Sequence, residues 1–270
     1  MTTHLHPKTK RMRRHIISMA ADGKTSHVGC ALSCVEILAA LYFKLMNVTP
    51  GNWQTPEADR FILSKGHGVM AWYAVLAEAG FFPVEELHTY AADGSYLGEH
   101  PSHAMGRGIG YSTGSLGHGL AVAVGQALAR KMDKRPGNIF VLLSDGECNE
   151  GSVWEAAMCA AQHALDNLVA VIDDNGMQAM GPSRGISALD PLKEKWAAFG
   201  WEAVECDGHD VEALVAHCTK LMSTKGKPKV LIARTVLAKG VSFMENRILW
   251  HYQIPSADDV RRAFEELKRA

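Results

Sequence analysis

The apolar positions of this chain change period along its length. Residues 33–46 carry apolar side chains at helical spacing, with Ser33 placed to cap them. Residues 8–21 predict a basic amphipathic helix ending near Gly23, and the charge run from Lys8 to Arg14 is expected to face solvent. Residues 60–64 predict a short strand that leads into Gly66-His67-Gly68. A Gly- and His-containing loop spans about 91–115, and a helix rich in Ala and Gly follows over 117–132. Then comes the clearest alternation. Strand 139–144 leads to helix 151–164, and strand 168–173 to an irregular loop reaching Asp190. Helix 191–199 precedes strand 201–206, helix 211–222 precedes strand 229–235, and a helix over 257–270 closes the chain. The strands are apolar nearly throughout, as strands covered on both faces are. The expected fold is α/β: a doubly wound, mostly parallel sheet with helices on both faces, forming one domain over 1–270. Such sheets bind ligands at the carboxyl ends of their strands. The loops at 64–68, 144–146 and 173–176 should lie there.

Composition narrows the partners. The 270 residues are 47% hydrophobic and 21% charged, in the range of a soluble globular protein. Lys and Arg total 28 against 29 Asp and Glu, a net charge of −1. That balance offers no long-range attraction to nucleic acid or an anionic membrane, so any anionic ligand must be held by local groups. The six cysteines form no C-x-x-C pair and read as reduced, mostly buried residues. No apolar run is long enough for a membrane span, and no secretory leader is recognisable, so a cytoplasmic location is expected.

Two strand ends carry candidate ligands. Ser144-Asp145-Gly146 and, 30 residues on, Asp174-Asn175-Gly176 each follow an apolar strand directly. If those strands are neighbours, Asp145 and Asn175 meet at one end of the sheet. A carboxylate and an amide oxygen, with a backbone carbonyl such as that of Met177, are hard ligands suited to Mg²⁺ or Ca²⁺. Gly146 permits a sharp turn, and the amino end of the helix starting near Gly151 favours an anion beside it. Asp-Gly and Asn-Gly are also common turn dipeptides. Two of them, one bringing the acid and the other the amide, tip the reading toward a site.

The stretch Ser144-Asp145-Gly146-Glu147, through Asn149-Glu150-Gly151 to Asp174-Asn175-Gly176, resembles the thiamine diphosphate motif, with Ser144 in place of the usual first Gly. Five histidine contexts make the resemblance narrower: Ser26-His27-Val28-Gly29, Gly66-His67-Gly68, His100-Pro101, Gly114-Ser115-Leu116-Gly117-His118-Gly119 and Trp250-His251-Tyr252. All resemble transketolase motifs in the same order, covering the chain from about His15 to His251. The resemblance implies that Asp145, Asn175 and the Met177 carbonyl hold Mg²⁺ (or Ca²⁺ or Mn²⁺) clamping a thiamine diphosphate. It implies that Gly114, Ser115, Leu116, His118, Gly146 and Glu147 line the cofactor site, and that Glu150 reaches toward a partner's cofactor-activating acid. His27 and His251 are implied to handle protons at substrate oxygens, and His67 and His100 to contact the donor's hydroxyls and the cofactor. Imidazole suits both tasks near neutral pH.

The resemblance covers the diphosphate-binding half of a transketolase. It therefore implies a separate C-terminal subunit carrying the pyrimidine-binding domain, a heterotetramer of two copies of each chain, and sugar phosphate substrates. Alternatives are a deoxyxylulose-phosphate synthase-like or 2-oxo-acid dehydrogenase component, a non-catalytic subunit that keeps the fold, and a split transketolase specialised for a branched or sulfonated sugar. Tyr252, where relatives often carry Gly, and the divergent loop 102–110 speak for the last.

Overall fold

The computed structural model describes residues 6–269. Its frame is a five-stranded parallel sheet in the order β1-β2-β3-β7-β6, with β1 Arg60–Leu63, β2 Ile139–Ser144, β3 Leu168–Asp174, β6 Glu202–Asp207 and β7 Lys229–Arg234. A small antiparallel hairpin, β4 Met177–Gln178 with β5 Gly181–Pro182, fills the loop after β3. Ten helices are described: α1 His6–Asp22, α2 Val28–Ser33, α3 Val35–Ala40, α4 Val69–Glu78, α5 Gly119–Met132, α6 Gly151–Gln162, α7 Ser183–Ile186, α8 Leu192–Ala198, α9 Val211–Ser223 and α10 Ala257–Arg269.

The period of two along each strand feeds two cores. Phe140 and Leu142 of β2, Val169 and Val171 of β3, and Leu231 and Ala233 of β7 face one side with α1–α4, α9 and α10. Val141, Leu143, Ala170, Ile172, Val230 and Ile232 face the other with α5, α6 and α8. This is why β2 and β3 are buried at every position and read as unbroken apolar runs.

Two expectations change, and one helix comes unannounced. The span 33–46 is not one helix. It breaks at Cys34 between α2 and α3 and widens into a π-turn over Leu41–Leu45. Ser33 ends α2 instead of capping a helix, because its hydroxyl donates to Asp173 at 2.5 Å. The basic run on α1 does not simply face solvent. Arg13 is buried and bidentate on Glu36 at 2.6 and 2.8 Å, Arg11 pairs with Glu78 at 2.7 Å, and the Lys8 ammonium lies 4.1 Å from the centre of the Phe43 ring. The unannounced helix is α4, which gives no helical period because all of it except Glu78 is buried. A helix that is apolar all round shows no stripe.

Parallel pairing sets Ser144 of β2 beside Asp173 of β3. Asp145 and Asn175 therefore leave the sheet from the same end, which fixes where chemistry can gather.

Candidate active site

At that end opens a cleft of about 230 Å³, lined among others by His27, His67, His100, Leu116, Gly146, Asn175, Met177 and His251. Each histidine arrives on a different segment. His67 rides a 3-10 turn after β1, Gly66–Gly68. A Cβ on Gly66 would lie 2.9 Å from Thr113 Oγ1, so only glycine lets the two loops close. Thr113 in turn donates to the Leu63 carbonyl at 2.6 Å, and Tyr73 donates to the Gly98 carbonyl at 3.1 Å. These bonds hold the loop that carries His100. His27 sits in the left-handed region (φ 70°, ψ 15°), with its amide donating to the His251 carbonyl at 3.2 Å. A non-glycine residue in that conformation is costly and marks a position fixed by its surroundings. His251 ends the 3-10 turn Ile248–His251.

The rings of His27, His67 and His251 form a triangle with centroids 5.3 to 5.9 Å apart. Burial, reinforced by neighbouring His27 and by Lys65, brings His251 down to about 4. Burial and then Lys65 hold His67 well below its ordinary value, and burial lowers His27 in the same direction. The cluster is therefore uncharged at neutral pH. Beneath it, the fully buried Lys65 ammonium donates to Asp173 at 2.5 Å and to the Cys30 carbonyl at 2.9 Å. Burial opposes its charge, but the Asp173 carboxylate, together with the neighbouring Cys34 and Cys30, outweighs burial and raises the Lys65 pKa. Neither Lys65 nor Asp173 stood out in the sequence. A Ser-Lys-Gly turn gives no sign that its lysine points inward.

Asp145 is fully buried, and neither of its carboxylate oxygens has a hydrogen-bond partner. Burial pushes it up to about 7; the Ser183 hydroxyl and the Gly146 amide, close by but outside hydrogen-bond geometry, hold it back in part, and Asp174 and Asp173 add to the rise. An unpartnered buried carboxylate is costly unless a cation or donor completes it. Asn175 Oδ1 accepts only the Met177 amide at 3.0 Å, which leaves a lone pair free. The donor set is thus all oxygen: one acid, one amide and the nearby Met177 carbonyl. It fits a hard divalent cation. Among the described residues there is no group of three His, Cys, Asp or Glu that could hold a metal. A site with a single acid is not of that kind. Two more unpartnered buried atoms lie on the same loop, Gln178 Nε2 and Ser183 Oγ. Gln178 packs over Gly146, where a Cβ would meet its side chain at 3.0 Å, and it lines the cleft. Sequence reading missed both, because neither belongs to a motif.

Other expected site residues lie elsewhere. Glu147 is not on the cleft wall. It is fully buried, and its carboxylate accepts from Ser64, from the Gly117 amide at 2.9 Å and from the Ser144 amide at 3.3 Å. It braces three loops. Ser144 has a use of its own: its hydroxyl accepts the Glu147 amide at 3.2 Å. His118 is exposed, its Nδ1 3.0 Å from the Leu116 carbonyl, and it stays off the cleft wall. Glu150 is exposed at the start of α6, and Gly114 and Ser115 are exposed beside His100, with Gly114 abutting its ring. Tyr252 donates its hydroxyl to the Ala179 carbonyl, bridging the His251 turn and the β4–β5 hairpin.

Residues 8–268 match the family described as transketolase, thiamine diphosphate binding domain. The chain belongs to the transketolase family. It is similar to one of the subunits of the apulose-4-phosphate transketolase of Actinobacillus succinogenes, 45% identical over 98% of this chain and 96% of that protein. It is also similar to a Clostridium 6-deoxy-6-sulfo-D-fructose transketolase subunit, 43% identical over 90% of this chain and 88% of that one. The transketolase of Campylobacter jejuni superposes with a TM-score of 0.89 at 26% identity, covering 99% of this chain. This chain spans only 43% of that transketolase's length. The cleft just described therefore belongs to a thiamine diphosphate binding transketolase domain. Among the described residues no helix is long and apolar enough to cross a membrane.

Proposed function

We propose that this chain pairs with a second polypeptide, which carries the pyrimidine-binding domain, to form a transketolase that moves a two-carbon ketol unit from a ketose to an aldose. The observation that carries this reading is a cleft lined by three neutral imidazoles, with an unpartnered carboxylate buried between its lining residues Ser144 and Gly146. Asp145, Asn175 and the Met177 carbonyl hold Mg²⁺, with Ca²⁺ or Mn²⁺ as substitutes, and Gly146 brings backbone close to the diphosphate. The bound cofactor supplies the carbanion chemistry of ketol transfer. The chain's own residues position and exclude. His67 and His100 contact donor hydroxyls, His27 moves a proton at a substrate oxygen, and Leu116 covers the cofactor rings. Gly114, Ser115 and His118 border the entrance, and Glu150 faces the second polypeptide. Two copies of each chain form the assembly, in the cytoplasm.

The relatives named for apulose 4-phosphate and for a sulfofructose favour an uncommon ketose as donor. Tyr252, where relatives often carry Gly, supports that choice, because its hydroxyl binds the carbonyl of Ala179, a residue of the cleft wall. The test is to purify the chain with its neighbouring reading frame's product and assay ketose donors against pyruvate and branched 2-oxo acids. Ketol transfer that depends on both chains, on a divalent cation and on thiamine diphosphate is expected. Transfer by this chain unaided would refute the split. Asp145→Ala should abolish cofactor binding in calorimetry, whereas His251→Ala should bind cofactor and lose turnover.

A further inference from the structure

One cleft residue takes no part in the chemistry proposed above. Cys30, on α2, lines the cleft and is 2% exposed. Its Sγ lies 3.2 Å from Nδ1 of His251, a ring that is itself only 8% exposed. Nε2 of His251 makes no hydrogen bond with any described residue. Burial pushes the Cys30 thiol up to about 12, while His251 is held down at about 4. The pair is therefore a thiol and a neutral imidazole, not a thiolate and an imidazolium. Two arrangements of the shared hydrogen bond remain. Sulfur is a weak acceptor, whereas the unprotonated nitrogen of imidazole is a good one. The arrangement with S–H donating to Nδ1 prevails, and the ring proton then sits on Nε2.

We infer that Cys30 is a positioning residue for His251: its thiol donates to Nδ1 and fixes the ring as the Nε2–H tautomer, so that His251 meets a substrate hydroxyl or carbonyl oxygen as a neutral hydrogen-bond donor. The identity of that oxygen rests on the ketol-transfer reading; the tautomer does not. No proton changes hands in this role. Releasing the Nε2 proton would leave either an imidazolate or a buried thiolate, and both lie far above neutrality. His251 thus orients its ligand instead of carrying protons, which separates it from His27. The Nδ1 of His27 faces the Ser26 hydroxyl at 3.0 Å, a group that donates or accepts with equal ease and leaves that tautomer free to change.

The test begins with ¹⁵N-histidine labelling of the chain, alone and with its partner, and long-range proton–nitrogen spectra assigned by their loss in His251→Gln. A His251 signal with protonated Nε2 and a hydrogen-bonded, unprotonated Nδ1 is expected near neutral pH. Cys30→Ser should keep that pattern, since a hydroxyl also donates. Cys30→Ala should give averaged tautomers. In the assembled enzyme Cys30→Ala should lower kcat about fivefold, the worth of one oriented hydrogen bond, with cofactor affinity unchanged and Cys30→Ser restoring the rate. A proton on Nδ1 in the unmodified chain, or spectra indifferent to Cys30→Ala, would overturn the inference. If the assembly transfers no ketol unit, the proposed function fails while the spectra still decide the tautomer.

Discussion

A buried imidazole that stays neutral makes stability depend on pH with a definite sign. His251 falls from 6.5 to about 4 on folding. Between those values the unfolded chain binds the proton and the folded chain does not. Stability is thus fully present above pH 6.5 and is lost as pH drops toward 4, by ~3 kcal/mol for a shift of this size. The raised Asp145 acts with the opposite sign as pH falls below about 7. The informative quantity is therefore the difference between wild type and His251→Gln in urea unfolding, which should shrink between pH 7 and 4.5. A constant difference would contradict the neutral assignment. At this scale the sequence was legible where motifs fall on strand ends: Asp145, Gly146, Asn175 and the histidines at 27, 67, 100 and 251 all converge. It was silent on Cys30, Lys65, Asp173, Gln178 and Ser183. Their importance comes from burial against residues far along the chain, and their neighbours in sequence carry no trace of it.

Among elements, β1 and α5 show how closely the site is packed. A Cβ on Gly119, at the start of α5, would lie 2.3 Å from Ser64 Oγ and 2.8 Å from Ser64 Cα. Backbone cannot yield as a flexible side chain does, so Gly119→Ala should cost ~1–3 kcal/mol, read from the urea midpoint. It should also disturb Glu147, which Ser64 holds. The amino end of α9 offers a milder comparison. Asp210 Oδ1 accepts the Glu212 amide at 2.9 Å and the Ala213 amide at 3.1 Å, and Asp210→Ala should cost about 1 kcal/mol by the same measurement. The strand-helix alternation from 139 onward was readable because turn residues punctuate short apolar runs. The first half was less so. α4 is apolar on every side, and the 33–46 span breaks where Ser33 answers to Asp173 on another element.

For the whole molecule, the Arg13–Glu36 pair ties α1 to α3 across the larger core. Burial opposes the charge on Glu36, but Arg13 and His209 outweigh it and hold the carboxyl down at about 2. His209 Nε2 accepts the Val236 amide at 2.9 Å, so Nδ1 is the atom donating to Glu36 at 3.0 Å. The network thus also fastens the segment after β7 that leads to His251. Arg13→Met would strand a buried carboxylate, at ~3–5 kcal/mol in thermal or urea unfolding. The double variant Arg13→Met, Glu36→Leu should recover most of it.

The amide of residue 27 and the carbonyl of residue 251 are bonded to each other. The early histidines therefore lack this tie until the segment carrying position 251 has been made and has folded back onto them. A chain truncated ahead of position 251 would present an open ring of side chains instead of a closed cradle, and should bind thiamine diphosphate more weakly in calorimetry than the full chain.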